Sequence, residues 1–175
     1  DVVNAEIEVL KSLGVEFKTG VEVGKDVTLN DLRKQGFEAF YVAIGAQGGR
    51  KLGLDGENGE GVIAGVDFLR NVNLGNDVKL SGKVIVIGGG NVAIDVARTA
   101  LRTGADKVDM FCLESRDEMP ALEEEILEAE EEGIVINNSW GPTRIVVENG
   151  KVKGVEFKKC VSVFDADGRF NPSFD

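Results

Sequence analysis

The sequence predicts an α/β fold in which a parallel sheet is layered with helices and followed by an antiparallel meander. Three observations carry this. Between residues 62 and 139, apolar runs of strand length alternate with helical patterns, as βαβ units require. Three consecutive glycines, Gly88, Gly89 and Gly90, separate one such run from the helix after it. Beyond residue 142 the pattern changes to β-rich runs divided by Asn-Gly and Asp-Gly turns.

Composition sets the bounds. The chain has 175 residues, 42% hydrophobic and 29% charged, enough for one domain with a real core and an appendage. A net charge of −11 argues against nucleic acid or an anionic membrane as partner, since both need a basic footprint. No apolar run approaches the ~20 residues of a membrane span, and no signal peptide is visible. Cys112 and Cys160 form no CxxC, which suits a reducing, cytoplasmic setting with both thiols in the core. There is no histidine, so a histidine triad is excluded and no metal site is expected.

The elements follow in order. Val3, Ile7 and Leu10 share one face of a helix that Gly14 stops. A short strand is expected over residues 15–17, then a helix capped by Thr28 or Asn30, then a buried strand over residues 37–45. Tyr41, in that strand, is expected to pack. This is β/α material with no first strand of its own, and the C-terminus closes no element, so an excised segment of a longer chain is expected. Gly- and charge-rich sequence follows; the expected domains are 1–47, a linker over 48–61, and 62–175. A short helix over residues 66–72 leads to the strand at 83–87 and the glycines. A second strand is expected within residues 105–113 and a third within 133–139. Between them Leu122, Ile126 and Ala129 recur at helical spacing beneath a glutamate-coated face, with Pro120 in the first turn. Asn149-Gly150 predicts a type I′ hairpin and residues 165–168 a second turn.

The glycines fit G-x-G-x-x-A, with Gly88, Gly90 and Ala93 in the three places. Gly88 permits a sharp turn from strand to helix. Gly90 lets a pyrophosphate approach the backbone, and Ala93 lets helix and strand pack closely. With Gly89, Asn91 and Val92 they place free N–H groups and a partial positive charge at a helix start. The domain is therefore Rossmann-like and three-layered. Asn91 fits phosphate donation or helix capping equally, and Asp95 fits a first-turn acid. Glu114 lies 26 positions after Gly88, about where a carboxylate grips the adenine ribose, ~20 residues beyond the loop. A solvated strand end, a plain strand–turn–helix joint and an S-adenosylmethionine site remain alternatives to these assignments.

Residues 84–105, "RDEMPALEEEILEAEEEG" and residues 37–62 together resemble the flavoprotein subunit of glutamate synthase and its relatives, NAD(P)H-dependent FAD and iron–sulfur oxidoreductases. The resemblance covers nearly the whole chain. It implies that the first 47 residues are a partial FAD-domain flank. Ile44, Gly45 and Ala46 then match a turn that passes close to FAD, with isoleucine where threonine is commoner. FAD is expected in the full-length protein only, with the rest of the FAD domain and an iron–sulfur domain or subunit as partners. NADPH-using relatives carry paired arginines after the second strand. Leu113 and Glu114 stand there here, followed by Ser115 and Arg116. A carboxylate would repel a 2′-phosphate by on the order of 4 kcal/mol at ~4 Å and an effective dielectric of ~20, with Arg116 a partial offset, so NAD(H) is expected over NADP(H). Hydride transfer from nicotinamide to flavin needs no protein acid or base, so no catalytic side chain is expected. The acceptor beyond flavin is open, and a non-catalytic nucleotide-binding module is the alternative function.

Overall fold

Residues 2–175 are described by a computed structural model, and the chain divides into two compact units, one ending at Gly45 and the other beginning at Ala46.

In the first unit, α1 (Val2–Ser12) ends where Gly14 turns to a φ of 88°, and α2 (Leu29–Lys34) begins with Thr28 and Asp31 capping each other. Thr28, not Asn30, is thus the cap. Neither expected strand forms. A strand is held by a hydrogen-bonded neighbour, and among the described residues of this unit the only bridge is Val23 with Val27. Residues 37–45 carry no ladder, and Tyr41 is 94% exposed, not packed.

The second unit is built on a parallel sheet of β1 (Lys83–Ile87), β2 (Lys107–Phe111) and β3 (Val135–Asn137), in that order. Register sets Val84 beside Val108 and Val86 beside Met110. Strand alternation therefore turns Val86, Val108 and Met110 into one core with Ile94, Ala97 and Ala100 of α4 (Asn91–Arg102). Phe68 of α3 (Gly65–Asn73) and Ile126 and Ala129 of α5 (Glu123–Glu131) complete it. Ile94, Met110 and Ile126 are at most 1% exposed, and such burial is worth about 1.5–3 kcal/mol per side chain. On the outer side of α4, Arg98 bonds Glu132 and Glu128 of the α5 turn region at 2.7 Å each and Glu125 at 3.3 Å.

Phe111, which alternates to the other face of β2, stacks on Phe157 with centroids 4.1 Å apart. Phe157 belongs to the antiparallel meander of β4 (Trp140–Glu148), β5 (Lys151–Phe164) and β6 (Phe170–Phe174). Helices, parallel sheet and meander make the three expected layers. Asn149 and Gly150 both have positive φ, 52° and 81°, as a type I′ turn demands. In the second turn Asp165 Oδ1 accepts from the N–H groups of Asp167 and Arg169. The glycine-rich stretch before α3 is irregular yet bound to this hairpin. Ile145 N–H donates to Asp55 O, Glu60 N–H to Gly150 O and Val152 N–H to Glu60 O.

One helix boundary differs from expectation. α5 starts at Glu123, so Pro120 lies outside its first turn, and Arg116–Glu118 form a separate 3₁₀ turn capped by Ser115 and Glu118. Among the described residues no helix is long and apolar enough to cross a membrane.

Candidate functional site

The site begins where β1 runs out. Gly88 N–H donates to Phe111 O at 2.9 Å, the last rung between β1 and β2. Gly88 then takes a φ of 142°, and a Cβ there would stand 3.2 Å from the Cβ of Ala93. The sharp turn and the close helix–strand approach therefore meet at one point. A Cβ on Gly89 would lie 2.9 Å from Glu114 Oε2 and 3.0 Å from Cys112 Cβ. Gly89 is thus a glycine because the end of β2 presses on it.

Gly90 differs from both. It is the N-cap of α4 with ordinary extended dihedrals, φ −93° and ψ 173°. The nearest atom to a Cβ there would be Pro120 Cγ at 3.9 Å, so packing does not exclude a side chain at this position. No side chain caps α4, and its first turn holds no acid. Asp95 falls on the fifth residue of the helix, so the first-turn role expected of it does not arise. An uncapped helix start with no acid in its own first turn fits an anion. Val92, in that turn, is 53% exposed.

Asn91 is the first helical residue and not the cap of α4. Its Oδ1 accepts from Leu122 N–H at 2.8 Å, and beside it Ala121 N–H donates to Gly89 O at 3.2 Å. These two bonds draw residues 120–122 across the glycine loop, which delays the start of α5. Met119 and Ala121 are buried there. The "EMPA" segment is therefore the far wall of the loop.

The end of β2 is fixed from below. Glu114 O accepts from Ser139 N–H at 2.9 Å and from Asn138 Nδ2 at 3.3 Å. Asn138 Nδ2 also approaches Cys112 Sγ at 3.2 Å. Burial, then the Glu114 charge, push the Cys112 thiol up to about 11, so it stays protonated at neutral pH. Ser115 Oγ and Glu118 share a 2.6 Å hydrogen bond that holds the Glu118 carboxyl below its usual range. Arg116 makes a two-pronged pair with Glu123, Nη1 to Oε2 and Nη2 to Oε1, both 2.8 Å. That pair raises the guanidinium and lowers the carboxyl.

The structure therefore brings Gly88 to Ala93 and Glu114 to Arg116 together at adjacent strand ends. Ile44 and Gly45 end the first unit and Ala46 begins the second; Ile44 is 78% exposed and Gly45 has a φ of 69°. Sequence reasoning missed Asn138, which positions Glu114, and Glu123, which holds Arg116. Their partners lie 24 and 7 residues away, and neither spacing carries a motif. Ser139, at a left-handed φ of 61°, is a product of the same turn.

The chain matches the pyridine nucleotide-disulphide oxidoreductase family over residues 2–170. It is 42% identical, over 98% of its length, to the NADP(+)-dependent formate dehydrogenase subunit beta of Moorella thermoacetica. It is 40% identical over 95% to an NADPH-Fe(3+) oxidoreductase subunit beta of Geobacter sulfurreducens. It is 35% identical over 97% to the glutamate synthase [NADPH] small chain of Escherichia coli K12. It spans 25%, 25% and 38% of those proteins respectively. Among solved structures, the His57Gln mutant of FprA from Mycobacterium tuberculosis superposes with a TM-score of 0.79 over 99% of this chain and 55% of that one, at 20% identity. The chain thus shares its fold with that portion of FprA. The relatives' names run against the NAD(H) preference expected from Glu114. With the family match and these relatives together, the chain belongs to the pyridine nucleotide-disulphide oxidoreductases and is akin to the glutamate synthase small subunit.

Proposed function

We propose that this chain is the NADP(H)-binding module of an FAD-dependent oxidoreductase, and that the nicotinamide nucleotide lies across the start of α4. One observation carries the reading. Gly90 is a glycine that the protein's own packing does not require, at an uncapped helix start.

In this reading the N–H groups at the start of α4 hold the pyrophosphate, with Gly88, Gly89 and Ala93 shaping the turn and Asn91 and Val92 forming its first helical residues. Glu114, Ser115 and Arg116 bracket the adenosine end, and Arg116 meets the 2′-phosphate. Ile44, Gly45 and Ala46 belong to the FAD side. When bound, the nicotinamide supplies a hydride to flavin, and the chain's own residues bind and orient. No side chain here moves a proton. NADP(H) is favoured because the relatives' names carry it and Arg116, two residues beyond Glu114, supplies a cation for a 2′-phosphate. The remaining FAD domain and an iron–sulfur domain or subunit are the proposed partners.

Calorimetric titration of the intact protein with NADPH, NADH and S-adenosylmethionine, paired with stopped-flow bleaching of the flavin, tests this. NADPH is expected to bind most tightly and to bleach the flavin. Binding without bleaching would favour the non-catalytic module, and binding of S-adenosylmethionine alone would refute the reading.

A further inference from the structure

Arg116 is surrounded by acid. Glu123 takes both of its terminal nitrogens at 2.8 Å, Glu130 stands 4.0 Å from its Nε, and Asp117 is its neighbour in the chain. Its side chain is one-third exposed and that of Glu123 is 64% exposed. The parallel two-point geometry is the one a carboxylate or a phosphate satisfies equally well. Glu123 sits in the first turn of α5, so its charge is also steadied by that helix start.

We propose that Glu123 is a specificity-determining residue: it occupies Arg116 until a 2′-phosphate displaces it, and so sets the ratio of NADPH to NADH binding. The inference rests on the proposed dinucleotide site. NADH, which has a 2′-hydroxyl, has no group able to take Arg116 from a carboxylate and leaves the pair closed. NADPH brings a dianion that competes for the same fork. Its gain from Arg116 is reduced by the loss of the Glu123 pair and by repulsion from the freed carboxylate. Glu123 thus weakens NADPH selectively. It touches the guanidinium, not the nucleotide, and acts through Arg116.

The test is a double-mutant cycle on the intact protein, with Glu123→Gln, Arg116→Gln and the double variant each titrated with NADPH and NADH. An exposed pair of this kind is worth about 0.2–1 kcal/mol, up to ~5-fold in affinity. Glu123→Gln is expected to tighten NADPH by about 3–5-fold while NADH changes by less than ~2-fold. In the Arg116→Gln background the Glu123 change is expected to lose this effect. A merely structural role would move both nucleotides together. If wild-type protein binds both nucleotides and Glu123→Gln moves neither, or both equally, the latch is wrong and the dinucleotide site stands. If wild-type protein binds neither, both fall.

Discussion

At the scale of single residues, the three glycines answer to three different demands. Gly88 needs its backbone angle, Gly89 needs room from Cys112 and Glu114, and Gly90 needs neither from the protein. The motif spacing singled out the first and third, because the dinucleotide-binding fingerprint asks for small residues at those places. It could not show Gly89, whose neighbours arrive from β2. The same limit applies to Glu114. Its charge was visible, whereas its contact with Gly89 and the Arg116–Glu123 pair exist only after β2 and α5 have packed. Gly88→Ala forces a side chain onto a φ of 142° and 3.2 Å from Ala93. It is expected to cost about 1–3 kcal/mol of stability. A urea titration read by circular dichroism measures this, and an unchanged midpoint would contradict the geometry.

At the scale of elements, β1, α4, β2 and the hairpin were legible because each announces itself locally, by an apolar run, a 3.6-residue stripe or an Asn-Gly pair. The strand expected over residues 37–45 was equally apolar but formed no ladder. Sequence shows what a strand would bury, not whether a neighbour is there to bond it. α5 is the opposite case. Its glutamates were assigned to solvent, yet three of those in and just beyond it hold Arg98. Arg98, then desolvation opposing it, governs Glu132, whose carboxyl titrates below its ordinary 4.5. A depressed carboxyl stabilises the fold at pH above 4.5 and stops doing so as pH falls through its folded value. Glu132→Gln is therefore expected to lower Tm by on the order of 2–4 °C at pH 7. Its deficit should shrink as pH drops below 4.5. Scanning calorimetry at pH 7 and in acid checks both, and a deficit that grows in acid would reverse the assignment.

At the scale of the whole molecule, the two units differ in kind. The second has a continuous core, whereas among the described residues of the first none is buried. Local stability follows burial. In the 175-residue chain taken alone, amides of residues 15–45 outside α2 are expected to exchange within seconds, those of β2 and the buried face of α4 orders of magnitude more slowly. Hydrogen-exchange mass spectrometry separates these. Equal protection in the two regions would show that the first unit is more firmly held than its exposure indicates.

The account turns on Gly90. Adding one methyl group there meets no protein atom closer than 3.9 Å and strains no dihedral, but it enters the space assigned to the pyrophosphate. NADPH titration of wild-type protein and Gly90→Ala, with Tm recorded for each, is the most direct measurement. Affinity is expected to fall at least ~10-fold while Tm stays within ~2 °C. A Gly90→Ala protein that binds NADPH as tightly as wild type would place the nucleotide elsewhere and contradict the account.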